Sequence, residues 1–260
     1  PGRSFLPLCN LAGYGMDGDP ATSIAGGSQL AGIGFVSGVR CMVVVTDSGI
    51  EAGAISEAGN LKLLRCQDIA LENKLPMVHL VESAGANLRQ YRVEKFIRGG
   101  GIFYRLARLS AAGLPVITVV HGSSTAGGAY MPGLSDYVVM VRGRAKAFLA
   151  GPPLLKAATG EIATDEELGG TDMHASISGL AEYVAHDDAH GIEIARDILA
   201  HLNWDRPAEP QNDTPPLYPP EELAGVMVLE HRKPMDMREV IARIVDGSSF
   251  MDFKPDYGRD

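Results

Sequence analysis

Runs of consecutive apolar residues alternate along the chain with stretches in which apolar positions recur every three or four residues. Cys41–Thr46, Met77–Glu82, Pro115–Val120 and Tyr137–Val141 are short apolar runs bounded by turn-forming residues, the pattern of strands buried on both faces. Between the first two, Ser56–Lys74 is free of proline and sets Leu61, Leu64 and Leu71, with Leu63, Cys66 and Ala70, at helical spacing. Gly101–Ala112 predicts a second helix, stopped by Gly113-Leu114-Pro115. Asp187–Leu202 predicts a third: Asp187 and Asp188 suit a helix start, and Ile192, Ala195, Leu199 and Leu202 share one face. Strand, helix, strand in this order implies right-handed crossovers and an α/β fold, with helices layered on a mostly parallel sheet.

After Trp204 the character changes. Arg206–Pro220 holds six prolines, which remove backbone donors and exclude a helix interior, so an extended connector is expected. Asp236–Val245 then predicts one more short helix. The resulting division is a domain over 1–204, a Pro-rich linker over 205–235 and a fragment over 236–260. The two ends also resemble each other: Gly2, Ser4, Phe5 and Tyr14-Gly15 match Gly247, Ser249, Phe250 and Tyr257-Gly258 in order. That match predicts a duplicated unit whose second copy is cut off, the numbering starting inside a longer chain.

With 260 residues the chain is long enough for one large core. A formal charge of −9 argues against nucleic acid or an anionic membrane as the main partner. Cys9, Cys41 and Cys66 stand apart without metal or redox spacing and read as reduced thiols. No apolar run reaches membrane-spanning length, and no signal peptide is apparent.

The densest chemical signal is His121–Tyr130, HGSSTAGGAY, directly after the Pro115–Val120 run. Adjacent glycines between a strand and a helix let backbone approach a ligand, and free N–H groups at the helix start stabilise a developing oxyanion. The same glycines also suit tight helix–sheet packing. Ser83-Ala84-Gly85-Ala86-Asn87 follows the Met77–Glu82 run in the same manner, and two such loops define one lip of a sheet, where open α/β folds bind ligands. P-loop and dinucleotide spacings are absent. Ser124 lies outside a G-x-S-x-G elbow. His186 and His190 read as a solvent-facing helix, and Asp165-Glu166-Glu167 as a helix first turn. With no general base beside either glycine loop, the proton transfer falls to substrate or cofactor.

The run TAGGAYMPGLSDYVVMVRG, followed by FLAGPPLLKAATGE, resembles the N-terminal half of biotin-dependent acyl-CoA carboxyltransferases, as do LAGYGMDGD at 11–19, QDIALENKLP at 67–76 and RLSAAGLP at 108–115. Within that family the β subunits of methylcrotonyl-CoA and geranyl-CoA carboxylases are the most similar. The resemblance implies a crotonase-like ββα superhelix in two homologous halves, the second mostly absent here. It implies a carboxyltransferase component that moves CO2 from carboxybiotin to an acyl-CoA enolate, with a methylcrotonyl-CoA-like substrate. Biotin would come on a biotin carboxylase and carrier partner subunit, and no metal is called for. A homo-oligomer, a hexamer in the family, and a cytoplasmic or, in a eukaryote, mitochondrial-matrix location go with it.

By the same resemblance Gly127 and Gly128 hold the acyl-CoA enolate, and Ser83, Ala84, Gly85 and Ala86, with Ala126 and Ala129, line the substrate site. Two alternatives stay open: a biotin-dependent acyl-CoA decarboxylase subunit, and a non-catalytic paralogue that assembles with active subunits. The chain also departs from the family. Ile50–Glu57 replaces a Gly-Gly-Thr and Pro-Thr pattern, Asn87–Gly100 differs from the methylcrotonyl-specific segment, and Ser83-Ala84-Gly85 replaces Ser-Gly-Gly. The first two neighbour the acyl end of the ligand in the family.

Overall fold

The computed structural model describes residues 5–15, 25–87, 92–204, 214–230 and 232–259. The chain divides into two compact units, Pro1–Trp204 with Lys254–Asp260, and Asp205–Phe253.

The first unit opens with β1 (Leu6–Pro7), β2 (Gln29–Val36) and β3 (Val39–Thr46), followed by α1 (Glu57–Glu72) and β4 (Met77–Ser83). Then come α2 (Val93–Gly99), α3 (Gly101–Ala111), β5 (Val116–Thr125), α4 (Gly127–Gly133), β6 (Tyr137–Val141) and β7 (Lys146–Phe148). The short α5 (Pro152–Thr159), α6 (Asp165–Gly169) and α7 (Thr171–Met173) lead to β8 (Tyr183–Ala185) and α8 (Asp188–His201). Among the described residues one sheet runs β1-β2-β3-β4-β5-β6-β8, with β7 beside β5. From β3 to β8 neighbours are parallel, as the alternation predicts, whereas β1, β2 and β3 pair antiparallel.

The four predicted strands form, but β2 is an addition. Its glycines are sites of close approach. A Cβ on Gly32 would lie 2.3 Å from the Leu6 carbonyl oxygen and 2.4 Å from the Phe5 ring. Ser37 and Gly38, both at positive φ, then close the β2–β3 hairpin in a two-residue turn. β5 also extends past Val120 to Thr125, because Ser123–Thr125 pair with β7. The segment after Val120, read as loop, is mostly strand.

The predicted helices form. Ser56 caps α1 by accepting from the Gly59 N–H at 3.1 Å, and Asp187 caps α8 by accepting from His190 at 2.8 Å. Thr164 and Glu167 form a capping box on α6, so the acidic cluster is a helix first turn. α1 and α3 cover one face of the sheet, where Met42, Val44, Met77, Val81 and Val116 meet Leu63, Leu106 and Leu109 in a buried cluster. α8 lies on the other face; the bare Gly191, whose Cβ would stand 3.0 Å from Val119, lets it approach. One cation is enclosed in this core region: Lys62 donates to Gln29 O at 2.6 Å and Gly26 O at 3.3 Å, and burial lowers its pKa.

The second unit contains α9 (Leu223–Val226) and α10 (Met237–Ile241), the latter within the predicted Asp236–Val245 helix. Arg243 bridges Glu222 at 2.8 Å and Glu239 at 2.9 Å. Of the predicted connector, 206–213 lie outside the described residues; Thr214–Pro219 has no helix or strand, and Pro220 opens a short 3-10 turn.

Candidate active site

The two loops singled out in the sequence leave neighbouring parallel strands at the same edge. Ser83 at the end of β4 pairs with Ser124 near the end of β5. The loops then touch: a Cβ on Gly85 would lie 2.8 Å from Thr125 O and 3.4 Å from the Gly127 nitrogen. Gly85 at φ +84 combines a glycine-only conformation with that approach.

Which amides are free follows from the loop hydrogen bonds. Ala84 N–H donates to Ala52 O at 3.0 Å and Gly85 N–H to Ser83 Oγ at 3.2 Å, so both are committed. Ile55 N–H donates to Gly85 O and Asn87 N–H to Ile55 O, which leaves the Ala86 N–H on the opposite side without an acceptor among the described residues. At the start of α4, Ala126 N–H donates to Phe148 O and Ala129 N–H to Ala126 O, while the Gly127 and Gly128 amides have no acceptor among the described residues.

A turn at Ala126 aims these amides. Its φ of 50° and ψ of −117° are strained for a residue with a Cβ, and they switch the chain from β5 into α4 within one residue. Ala126→Gly is expected to raise unfolding stability by about 1 kcal/mol in urea titration, since glycine adopts this conformation without steric cost.

The two loops border a cleft of about 460 Å³, within the range of small-molecule sites, and of the residues with free amides Ala86 and Gly127 line it. Ala84, Ala86, Ala126 and Gly127 are on its wall; Ser83, Gly85, Gly128 and Ala129 are not. Ser83 is buried and ties the site together by donating to Gly53 O at 2.8 Å. Gly128 packs on it: a Cβ there would fall 2.7 Å from Ser83 O. The two glycines therefore differ. A Cβ on Gly127 would meet only the Phe103 ring, at an ordinary 3.7 Å.

The cleft wall takes in parts of Ile50–Glu57 and Asn87–Gly100, the stretches that the sequence places beside the acyl end, whereas Asn60, Ile102 and Phe103 were not singled out. The start of α1 contributes Ile55, Ser56, Glu57 and Asn60, and the α2–α3 junction contributes Gly99, Gly100, Ile102 and Phe103. The sequence places no general base beside either glycine loop; the structure brings Glu57 to the cleft wall. The signal was present in Ile50–Glu57, the stretch that departs from the resembled family. It folds back through left-handed Glu51, Ala52 and Gly53 to clamp the β4 loop, and a Cβ on Gly53 would lie 2.2 Å from Glu82 O. The wall is largely apolar, with Phe103 and Tyr130 ring centroids 5.2 Å apart. Such an arrangement has the shape and donors to receive an apolar chain and to stabilise negative charge on one oxygen.

The histidines lie elsewhere. His174 is buried between Ala147 O and Ser178 Oγ, each at 2.7 Å, while His186 is exposed and His190 half-buried at the start of α8. Among the described residues no three metal-ligating side chains converge, and no helix is long and apolar enough to cross a membrane.

A family model described as a carboxyl transferase domain matches residues 1–260. The chain belongs to the carboxyl transferase domain family. Its curated relatives include the probable biotin-dependent acyl-coenzyme A carboxylase β2 subunit of Mycobacterium tuberculosis, 52% identical over 99% of this chain and 48% of that protein. Another is the mitochondrial methylcrotonoyl-CoA carboxylase β chain of Dictyostelium discoideum, 47% identical over 99% of this chain and 44% of that protein. Among solved structures, the β subunit of geranyl-CoA carboxylase from P. aeruginosa is 55% identical with a TM-score of 0.72, covering 98% of this chain and 47% of that one. The hexameric transcarboxylase 12S is 28% identical with a TM-score of 0.86, over 98% and 50%. The chain thus has the crotonase-like α/β fold of the carboxyl transferases and spans about half the length of the curated relatives it matches.

Proposed function

We propose that residues 1–204 form the acyl-CoA half-site of the carboxyltransferase subunit of a biotin-dependent acyl-CoA carboxylase. The observation that carries this reading is the pair of unpartnered amides, Ala86 and Gly127, at the wall of an apolar cleft. The thioester oxygen of an acyl-CoA accepts from both amides and the acyl chain enters the cleft between α1 and α3. Loss of the α-proton, or of its vinylogous counterpart, to the biotin ureido oxygen left after CO2 release would place charge on the thioester oxygen, and the amides would hold it more strongly than they hold the neutral carbonyl. Bound carboxybiotin supplies the CO2 that the enolate attacks. Its contacts are assigned to the part of the relatives that this chain does not match.

In this reading residues 205–235 link to the beginning of a second homologous unit. The subunit assembles as a homo-oligomer, a hexamer, and meets a biotin carboxylase and carrier partner. The compartment is the cytoplasm, or the mitochondrial matrix in a eukaryote. Branched and terpenoid acyl-CoAs are the substrates that the relatives support.

The test is fixation of labelled bicarbonate by the full-length subunit with its biotin-bearing partner. Label is expected in a branched or terpenoid acyl-CoA. No label with short, branched, terpenoid or long-chain substrates refutes the reading in favour of a non-catalytic assembly role.

A further inference from the structure

We infer that Cys9 and Cys66 form a redox-modification site, at which a peroxide oxidises Cys9 and the two side chains then close into a reversible disulfide. The cysteines are 57 residues apart in the sequence, and no motif links them. The fold brings them together: their thiols hydrogen-bond each other. Cys9 is exposed, in the turn after β1, where its carbonyl accepts from the Ala12 N–H at 3.0 Å. Cys66 is fully buried on α1, within the apolar cluster, and Leu8, the residue before Cys9, packs against that same cluster.

Backbone contacts hold the turn beside α1. Leu8 N–H donates to Ala31 O at 2.8 Å and Gly26 N–H to Ala12 O at 2.8 Å, which ties both ends of the turn down. Lys62, one helical turn before Cys66, donates to the carbonyl of the same Gly26. A Cβ on Gly26 would stand 3.8 Å from Lys62 Nζ and 3.9 Å from Asn10 O, so the ammonium and the residue after Cys9 flank one glycine. Lys62 interacts electrostatically with both sulfurs.

The two thiols differ, and the difference sets their order of reaction. Burial raises the Cys66 pKa to about 11; Cys9 adds to the rise, while Lys62 and Arg65 oppose it. Cys66 therefore stays protonated and shielded until a partner is made for it. Cys9, open to solvent, displaces hydroxide from hydrogen peroxide and becomes a sulfenic acid; the hydroxide and the thiol proton make one water. The Cys66 sulfur then attacks the Cys9 sulfur, and its proton leaves with the sulfenic hydroxyl as a second water. Two thiols thus give up two electrons and two protons to the peroxide, and one S–S bond forms. The Lys62 ammonium steadies negative charge on either sulfur during the exchange. Cys41 serves as an internal control: it is buried on β3, its Sγ donates to Val39 O at 3.4 Å, and burial pushes its pKa up to about 12. The bridge needs nothing bound in the cleft.

The test treats the full-length subunit, in its assembled state, with a small excess of hydrogen peroxide. The protein is then unfolded in an alkylating reagent and its peptides are mapped by mass spectrometry. A linked Cys9–Cys66 peptide pair is expected, lost after dithiothreitol, with Cys41 alkylated throughout. Cys66→Ser should leave Cys9 as a sulfenic acid that dimedone traps, and Cys9→Ser should leave Cys66 reduced. Cys66→Ala gives the same comparison if a buried serine prevents folding. A wild-type Cys9 that ignores peroxide, or that dimedone labels with no linked pair formed, overturns the inference. So does a Cys66 that oxidises equally well in Cys9→Ser.

Discussion

Gly127→Val is expected to cut kcat by about 100-fold or more, with the melting temperature almost unchanged, whereas Gly128→Val is expected to fail as a folded protein before its catalysis is measured. The difference comes from what each missing side chain would meet. At Gly127 a Cβ stands 3.7 Å from the Phe103 ring, an ordinary contact, so the fold accommodates it within about 1 kcal/mol. The valine methyls, however, crowd the cleft wall beside the free amide and push a thioester oxygen off it. Losing one such donor costs about 3 kcal/mol of barrier. At Gly128 a Cβ would sit 2.7 Å from the Ser83 carbonyl oxygen and 3.0 Å from Ser83 Cβ, both in the rigid end of β4. That overlap costs about 3 kcal/mol of stability or more. Turnover per folded molecule, beside thermal unfolding of the same samples, separates the two. Full turnover in Gly127→Val would remove that amide from the mechanism, and a Gly128→Val protein melting like wild type would show that β4 gives way.

The second large effect is acid lability seated at His79. This side chain lies on the same face of β4 as Met77 and Val81, both in the apolar cluster, and its Nε2 has no partner among the described residues. Burial, reinforced by the nearby His121, lowers its pKa from 6.5 to about 3. The folded protein therefore keeps His79 neutral while the unfolded chain takes up a proton below pH 6.5. Stability from this source is complete above pH 6.5 and is lost progressively as pH falls toward 3. Between pH 7 and 4 the loss is about 3 kcal/mol. His79→Leu replaces an unpaired buried imidazole with hydrocarbon, so it is expected to match or exceed wild-type stability at pH 7. The gap between its urea midpoints at pH 7 and pH 4 should shrink by that amount. A variant that keeps the wild-type gap would place the acid sensitivity in another group.

How much of this was legible in the sequence depends on how local the cause is. The apolar runs became β3, β4, β5 and β6 because a strand buried on both faces needs no partner to be recognised, only unbroken hydrophobicity between turn formers. α1 and α8 were equally plain, since Ser56 and Asp187 cap their own helices within four residues. The glycine loops and the family also followed from residue order alone. Tertiary structure decided the rest. β2 was hidden because Gly32 is a void for Phe5, a contact across 27 residues that no local window holds. Two adjacent glycines of identical local pattern acquired opposite roles because only one of them backs onto Ser83. Ala84 and Gly85 were equivalent to Ala86 on paper, yet their amides are taken by Ala52 and Ser83, leaving Ala86 as the free donor. Glu57 and Asn60 reached the cleft because the Ile50–Glu57 stretch folds back onto the end of β4. Sequence determines where the chain is able to be strand, helix or bare backbone; which bare N–H groups remain unpaired is settled by neighbours distant along the chain, because a hydrogen bond is made in space.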